Sequence, residues 1–168
     1  MNGAEFVQSA FRELRRAYET DMENLTQEQL AWSPGEDANA VGAIYWHCHR
    51  VIDGQIHRIT DTQTIFERDN WKKRLNLDDL SSAALLTDDT KNVTKLLSAT
   101  DTYEYGKQVW DELTDYVNTL TDSELDRPLD PENPRRTVAF FLRSFSLSHG
   151  WWHLGEIKYV KGLQGIKS

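Results

Sequence analysis

Four stretches of this chain repeat apolar residues at the helical period, and no run alternates apolar and polar residues as a half-buried strand would. A chain that can bury apolar surface only along helix faces has to pack helix on helix. The first stretch runs from about Ala4 to Asn24, with Phe6, Ala10, Phe11, Leu14, Ala17, Tyr18, Met22 and Leu25 on one stripe. The second begins near Asn39, an N-cap after the loop Ser33-Pro34-Gly35-Glu36-Asp37, and ends near Ile59. The third spans about Thr102 to Leu120, with Tyr105, Val109, Leu113, Tyr116, Val117 and Leu120 in register. The fourth follows the loop Pro128 to Pro134, runs from about Thr137 to Lys161 and is expected to stop at Gly162. Between the second and third lies a long connection, where Leu80 to Leu86 and Val93 to Leu97 read as short helices. The fold class is all-α, in a single domain over residues 1–168, a length that allows one well-buried core.

An internal echo points to two similar halves. Leu25-Thr26-Gln27-Glu28-Gln29-Leu30 matches Leu120-Thr121-Asp122-Ser123-Glu124-Leu125. In each, Thr-x-x-Gln/Glu forms a capping box that starts a short helical turn. In each, a helix precedes the turn, while a proline-containing loop and a histidine-bearing helix follow it. The second and fourth helices, with their histidines, are thereby expected at equivalent places in the core.

Those histidines carry the chemistry. His149 and His153 stand four apart in Ser148-His149-Gly150-Trp151-Trp152-His153-Leu154-Gly155-Glu156. At about 100° per residue, such a pair stacks on one helix face, where two imidazoles can share a metal ion. A third ligand has to come from elsewhere, and the chain's other histidines, His47, His49 and His57, all fall in the second helix. His47 and His49 point about 200° apart, so one can face the core while the other faces solvent. Ile44, Val51 and Gly54 lie near His47 around the helix, which places His47 on the more buried face. His57 lies too far along the axis, at about 1.5 Å per residue. His47, His149 and His153 are therefore the expected metal ligands. Three imidazoles with open positions make a catalytic site, whereas structural zinc usually has four protein ligands. Nitrogen ligation suits zinc, nickel, copper or iron. Glu156, one turn beyond His153, is the candidate catalytic carboxylate: a general base, a hydrogen-bond acceptor behind the ligands, or a fourth ligand, the alternative being a plain solvent-facing helix carboxylate. Cys48 reads as a small core residue.

Charge and composition remove several function classes. The 19 basic and 27 acidic residues leave a net charge of -8, with the basic residues scattered in short clusters, so a nucleic-acid partner is not expected. No apolar run approaches the roughly 18 residues of a membrane span, so no membrane partner is expected either. The start, Met1 to Phe6, has no basic residue followed by an apolar stretch, unlike a signal peptide. The single cysteine suits a reducing cytoplasm, the expected location. The six tryptophans and six tyrosines exceed what a small bundle readily buries, which predicts a homodimer.

The chain also resembles the DinB-like superfamily of damage-inducible proteins. The resemblance rests on Leu25-Thr26-x-x-Gln29-Leu30-x-Trp32-x-Pro34, on Ala40-Val41-Gly42-Ala43-Ile44-Tyr45-Trp46-His47, and on His149-x-x-x-His153-x-Gly155-Glu156-Ile157 followed by Lys161-Gly162-Leu163-Gln164-Gly165. It implies an antiparallel-type four-helix bundle with a long crossover between the second and third helices. It also implies one divalent metal, zinc or nickel foremost, on His47, His149 and His153. Mycothiol-dependent maleylpyruvate isomerases are similar proteins that pair such a site with a low-molecular-weight thiol; they carry a carboxylate at the position of His149, and many family members carry Gln at that of Glu156. The implied function is a metal-dependent enzyme that transfers a thiol onto an electrophilic small-molecule substrate. A metal-dependent hydrolase and a non-catalytic, metal-binding stress-response module are the alternatives.

Overall fold

Asn2 fixes where the first helix starts. Its side chain accepts from Glu5 N at 2.8 Å and the Glu5 carboxylate answers to Asn2 N at 3.0 Å, so two of the helix's orphan donors are satisfied reciprocally. The computed structural model describes residues 1–36, 38–75 and 98–167. Helix α1 is Gly3–Met22, α2 Gln27–Ala31, α3 Val41–Thr60, α4 Ile65–Arg68 and α5 Trp71–Arg74. Then come α6 Ala99–Asn118, α7 Asp122–Leu125, α8 Val138–Phe141, a π-helical segment Leu142–Ser148 and α9 His149–Leu163. Among the described residues the only extended pairing is an isolated bridge between Pro128 and Thr137. The expected short helices at Leu80–Leu86 and Val93–Leu97 lie outside the described residues.

The fold is an all-α four-helix bundle. Helices α1 and α3 each pack against both α6 and α9, and a long helical crossover carrying α4 and α5 joins α3 to α6. Leu14 and Tyr18 of α1, Trp46 and Ile52 of α3, Tyr105 and Leu113 of α6 and Leu154 of α9 are fully buried at its centre. Asp53 of α3 ties the crossover down. Its carboxylate accepts from the backbone N–H of Ile65 (2.8 Å) and Phe66 (3.1 Å) at the start of α4, and from the Tyr105 hydroxyl (2.7 Å). Arg50 closes the group at 3.1 Å from the same carboxylate.

Several expectations shift by local chemistry. Phe6, expected on the α1 stripe, is exposed, because it sits about 140° around the axis from the buried Phe11. The second helix is preceded by Ala40, without a side-chain cap, and not by Asn39. The third begins at Ala99 and not Thr102, because Ser98 caps it by accepting from Asp101 N at 3.0 Å. The last helix passes through Gly162; the chain turns left-handed at Gly165, where φ is 76°. Of the echoed turns, Thr26 and Gln29 form the full reciprocal box. Thr121 caps only one way, since the Glu124 carboxylate is taken by Arg127 and the Tyr116 hydroxyl.

Close approach decides two glycines. A Cβ at Gly106 would collide with the Tyr45 hydroxyl, and one at Gly150 would stand 2.7 Å from a Leu14 methyl. Gly150 thus lets α1 lie tightly on α9, and Tyr18 donates its hydroxyl to the Gly150 carbonyl at 2.8 Å.

Candidate metal centre

The site forms where α3 meets the first turn of α9. His149 is the first residue of α9, and His153 sits one turn later on the same face, as the four-residue spacing requires. The π-helical segment Leu142–Ser148 runs directly into His149. π-segments recur beside functional sites because the extra residue per turn re-aims the side chains that come after it. From α3, His47 points at this pair, with ring centroids 5.3 Å from His149 and 5.1 Å from His153. The His149 and His153 rings are 4.3 Å apart and nearly perpendicular. One candidate ligand atom from each of the three histidines lies within 4.8 Å of the others, and all three residues are partly exposed.

The donor set suits a divalent ion. Nε2 of His149 and Nε2 of His153 are 3.0 Å apart. Nitrogens each about 2.0–2.1 Å from a shared zinc stand roughly 2.9–3.4 Å apart for angles between square and tetrahedral. His149 is held neutral: burial first, then the neighbouring His153 and His47, push its pKa down to about 4. A neutral imidazole is the ligating form. Its Nδ1 is buried and makes no hydrogen bond.

Glu156 stands behind His153. Its carboxylate meets Nδ1 of His153 at 2.5 Å, on the opposite edge of the ring from the nitrogen facing His149. A carboxylate there accepts a hydrogen bond from Nδ1–H, which leaves the Nε2 lone pair directed at the cluster. Glu156 itself contributes no atom to the group of three.

His49 corrects the expected polarity of α3. It is fully buried, whereas His47 is partly exposed. Helix α3 is flanked by α6 and α9, so opposite faces of it are both interior. His47 faces α9, and about 200° away His49 meets Trp110 of α6 and Tyr18 of α1. Its Nδ1 donates to its own helix at the Tyr45 carbonyl (2.7 Å), and burial lowers its pKa to about 4 against that bond. His57 is outside the cluster, as expected from its position down the axis. Cys48 is a buried core thiol near the Tyr18 hydroxyl, its pKa pushed up to about 12 chiefly by burial. The π-segment and the burial of His49 were not readable from periodicity, which gives angles around a helix but not which neighbours flank it.

No described helix is long and apolar enough to cross a membrane. No curated protein matches the chain. A crystal structure of a conserved protein from Enterococcus faecalis is similar over 97% of each chain, with a TM-score of 0.80 at 16% identity, a likeness of fold alone. The family model described as the DinB superfamily matches residues 10–157. That match takes in His47, His149, His153 and Glu156, and with it this bundle, built around a histidine cluster able to coordinate a metal ion, belongs to the DinB superfamily.

Proposed function

We propose that this chain is a metal-dependent enzyme which uses His47, His149 and His153 to hold one divalent ion, zinc or nickel, and transfers a low-molecular-weight thiol onto an electrophilic small molecule. The observation that carries this reading is the convergence of three imidazoles from two helices, with a carboxylate behind one of them. Three protein ligands leave coordination positions free, and the partial exposure of all three histidines favours a site that small molecules reach over a sealed structural one. When bound, the ion supplies Lewis acidity that lowers the pKa of a thiol or water toward neutrality. In the thiol reaction the S–H proton leaves to solvent or a base, sulfur bonds to the electrophilic carbon, and a leaving group departs or the acceptor takes up a proton. Glu156 serves by holding Nδ1–H of His153, which fixes the tautomer and the ring orientation. The resemblance to thiol-using relatives favours transfer; the same open site would serve hydrolysis. We also infer that the chain pairs as a homodimer.

Elemental analysis after dialysis against a weak chelator tests the ligand set. Alanine in place of His47, His149 or His153 should each lose the ion, while His49→Ala and His57→Ala should keep it. Glu156→Ala should weaken metal affinity by about 10–100-fold. Metal-loaded protein should then couple small thiols to a chlorodinitroarene with release of chloride, and the three ligand variants should not. Metal retention in His153→Ala with loss in His49→Ala would overturn the assignment. Full metal loading without turnover of thiols or esters would leave the non-catalytic module as the reading.

A further inference from the structure

A concavity lies away from the histidine cluster, between α1, α3 and α6. Its volume is about 510 Å³, within the range of small-molecule sites, about 300–1,000 Å³. Tyr18, Met22, Tyr45, Tyr103 and Trp110 form its walls. Its charged lining is Glu19, Glu23, Glu104 and Lys107. Neighbours already engage most of these: Lys107 is paired with Asp111, Glu19 with Arg15 and Glu104 with Arg74. Among the described residues Glu23 alone of the four has no ion pair, so the cleft's uncompensated charge is negative.

Behind the inner wall lie two polar atoms that nothing in the described protein satisfies, and His49, which carries one of them, is buried and does not itself line the cleft. Three of the wall's rings close around His49: Tyr45 at 3.9 Å between centroids, Trp110 at 5.5 Å and Tyr18 at 5.6 Å. Because Nδ1 of His49 donates to the Tyr45 carbonyl, its Nε2 is an acceptor directed away from α3, and it is buried without a partner. Nε1 of Trp110, a donor, is likewise buried without a partner. The donor belongs to a lining ring, so a ligand that fills the cleft packs against Trp110 directly and changes the surroundings of its indole.

We propose that this cleft is a second ligand site, distinct from the metal centre, for a small aryl-alkyl ammonium compound. The ring packs among Tyr45, Tyr103 and Trp110, and the ammonium is held at Glu23 over aromatic faces, an arrangement that favours cations over acids of the same shape. The reading does not depend on the function of the histidine cluster.

Tyramine tests it against 4-hydroxyphenylacetate and 4-ethylphenol, which keep the phenol but reverse or remove the charge. Calorimetric titration should give saturable, one-to-one binding of tyramine, at least about tenfold tighter than either control. The indole N–H resonance of Trp110, identified by its loss in Trp110→Phe, should move on titration. Glu23→Gln and Tyr103→Leu, both at the cleft's edge, should weaken binding several-fold, and His149→Ala should leave it unchanged. Comparable binding of the acid or the neutral phenol, a stationary Trp110 resonance, or binding lost in His149→Ala would each overturn the proposal. Should Tyr103→Leu fail to fold, unaltered affinity in the surface variant Glu23→Gln would overturn it on its own.

Discussion

His49 and His149 are both kept neutral, and acid should expose that constraint. Each has its pKa lowered from 6.5 to about 4, burial being the largest cause in both cases. In the unfolded chain both protonate as the pH drops through about 6.5, while the folded protein resists until about 4. The unfolded state therefore binds more protons across that window, and stability falls with falling pH from about 6.5 to about 4. For the fully buried His49 the loss is on the order of 3 kcal/mol. The partly exposed His149 should contribute less, since solvent screens it. Denaturant midpoints of metal-free protein at a series of pH values should show this slope, and His49→Leu should flatten it. An unchanged slope in that variant would mean the ring protonates inside the fold.

Among the elements, the crossover depends on one side chain. Asp53 receives two backbone donors of α4, the Tyr105 hydroxyl and Arg50, all at a buried position. Asp53→Ala would leave the half-buried Arg50 guanidinium and the head of α4 without their acceptor, at a cost of about 3–5 kcal/mol. Thermal unfolding should register it as a large fall in Tm, whereas exposed Asp126→Ala should change Tm little. Nothing in the sequence around Asp53 announced this role, because the α4 backbone and the Tyr105 hydroxyl that it receives are 12, 13 and 52 positions away in the chain. What was legible were local patterns. The four long helices emerged from apolar stripes, the Thr26 turn from its capping box, and the His149–His153 pair from its spacing. The start of α6 moved because Ser98 offered an earlier cap, whereas α3 starts after Ala40 with no side-chain cap at all. His47 does converge on that pair, although the view of which face of α3 is deeper was mistaken.

At the scale of the molecule, the tryptophans divide between core and surface. Trp46, Trp71 and Trp110 are buried, while Trp32, Trp151 and Trp152 are exposed. On α9, Trp152 (72% exposed), Tyr159 (69%) and Leu163 (49%) recur at spacings of seven and four, which aligns them on one outer face. An apolar helix face of this kind suits a two-fold contact with a second copy. Light scattering should give a dimer, and Trp152→Lys should shift it to monomer without lowering helical content; a wild-type monomer at high concentration would refute the pairing. Glu156 lies on the same face as Trp152 and Tyr159, so such a contact would also cover the carboxylate that steadies His153. The π-helical segment ahead of His149 has its own implication. A π-turn is an α-turn that has accepted a surplus residue. Residues 142–148 are therefore the part of the bundle where chain length can vary by one without redrawing the fold. A shortened chain should still assemble its four helices, but with His149 and His153 rotated off His47, so the insertion marks the place where a plain helical bundle acquires a converging histidine cluster.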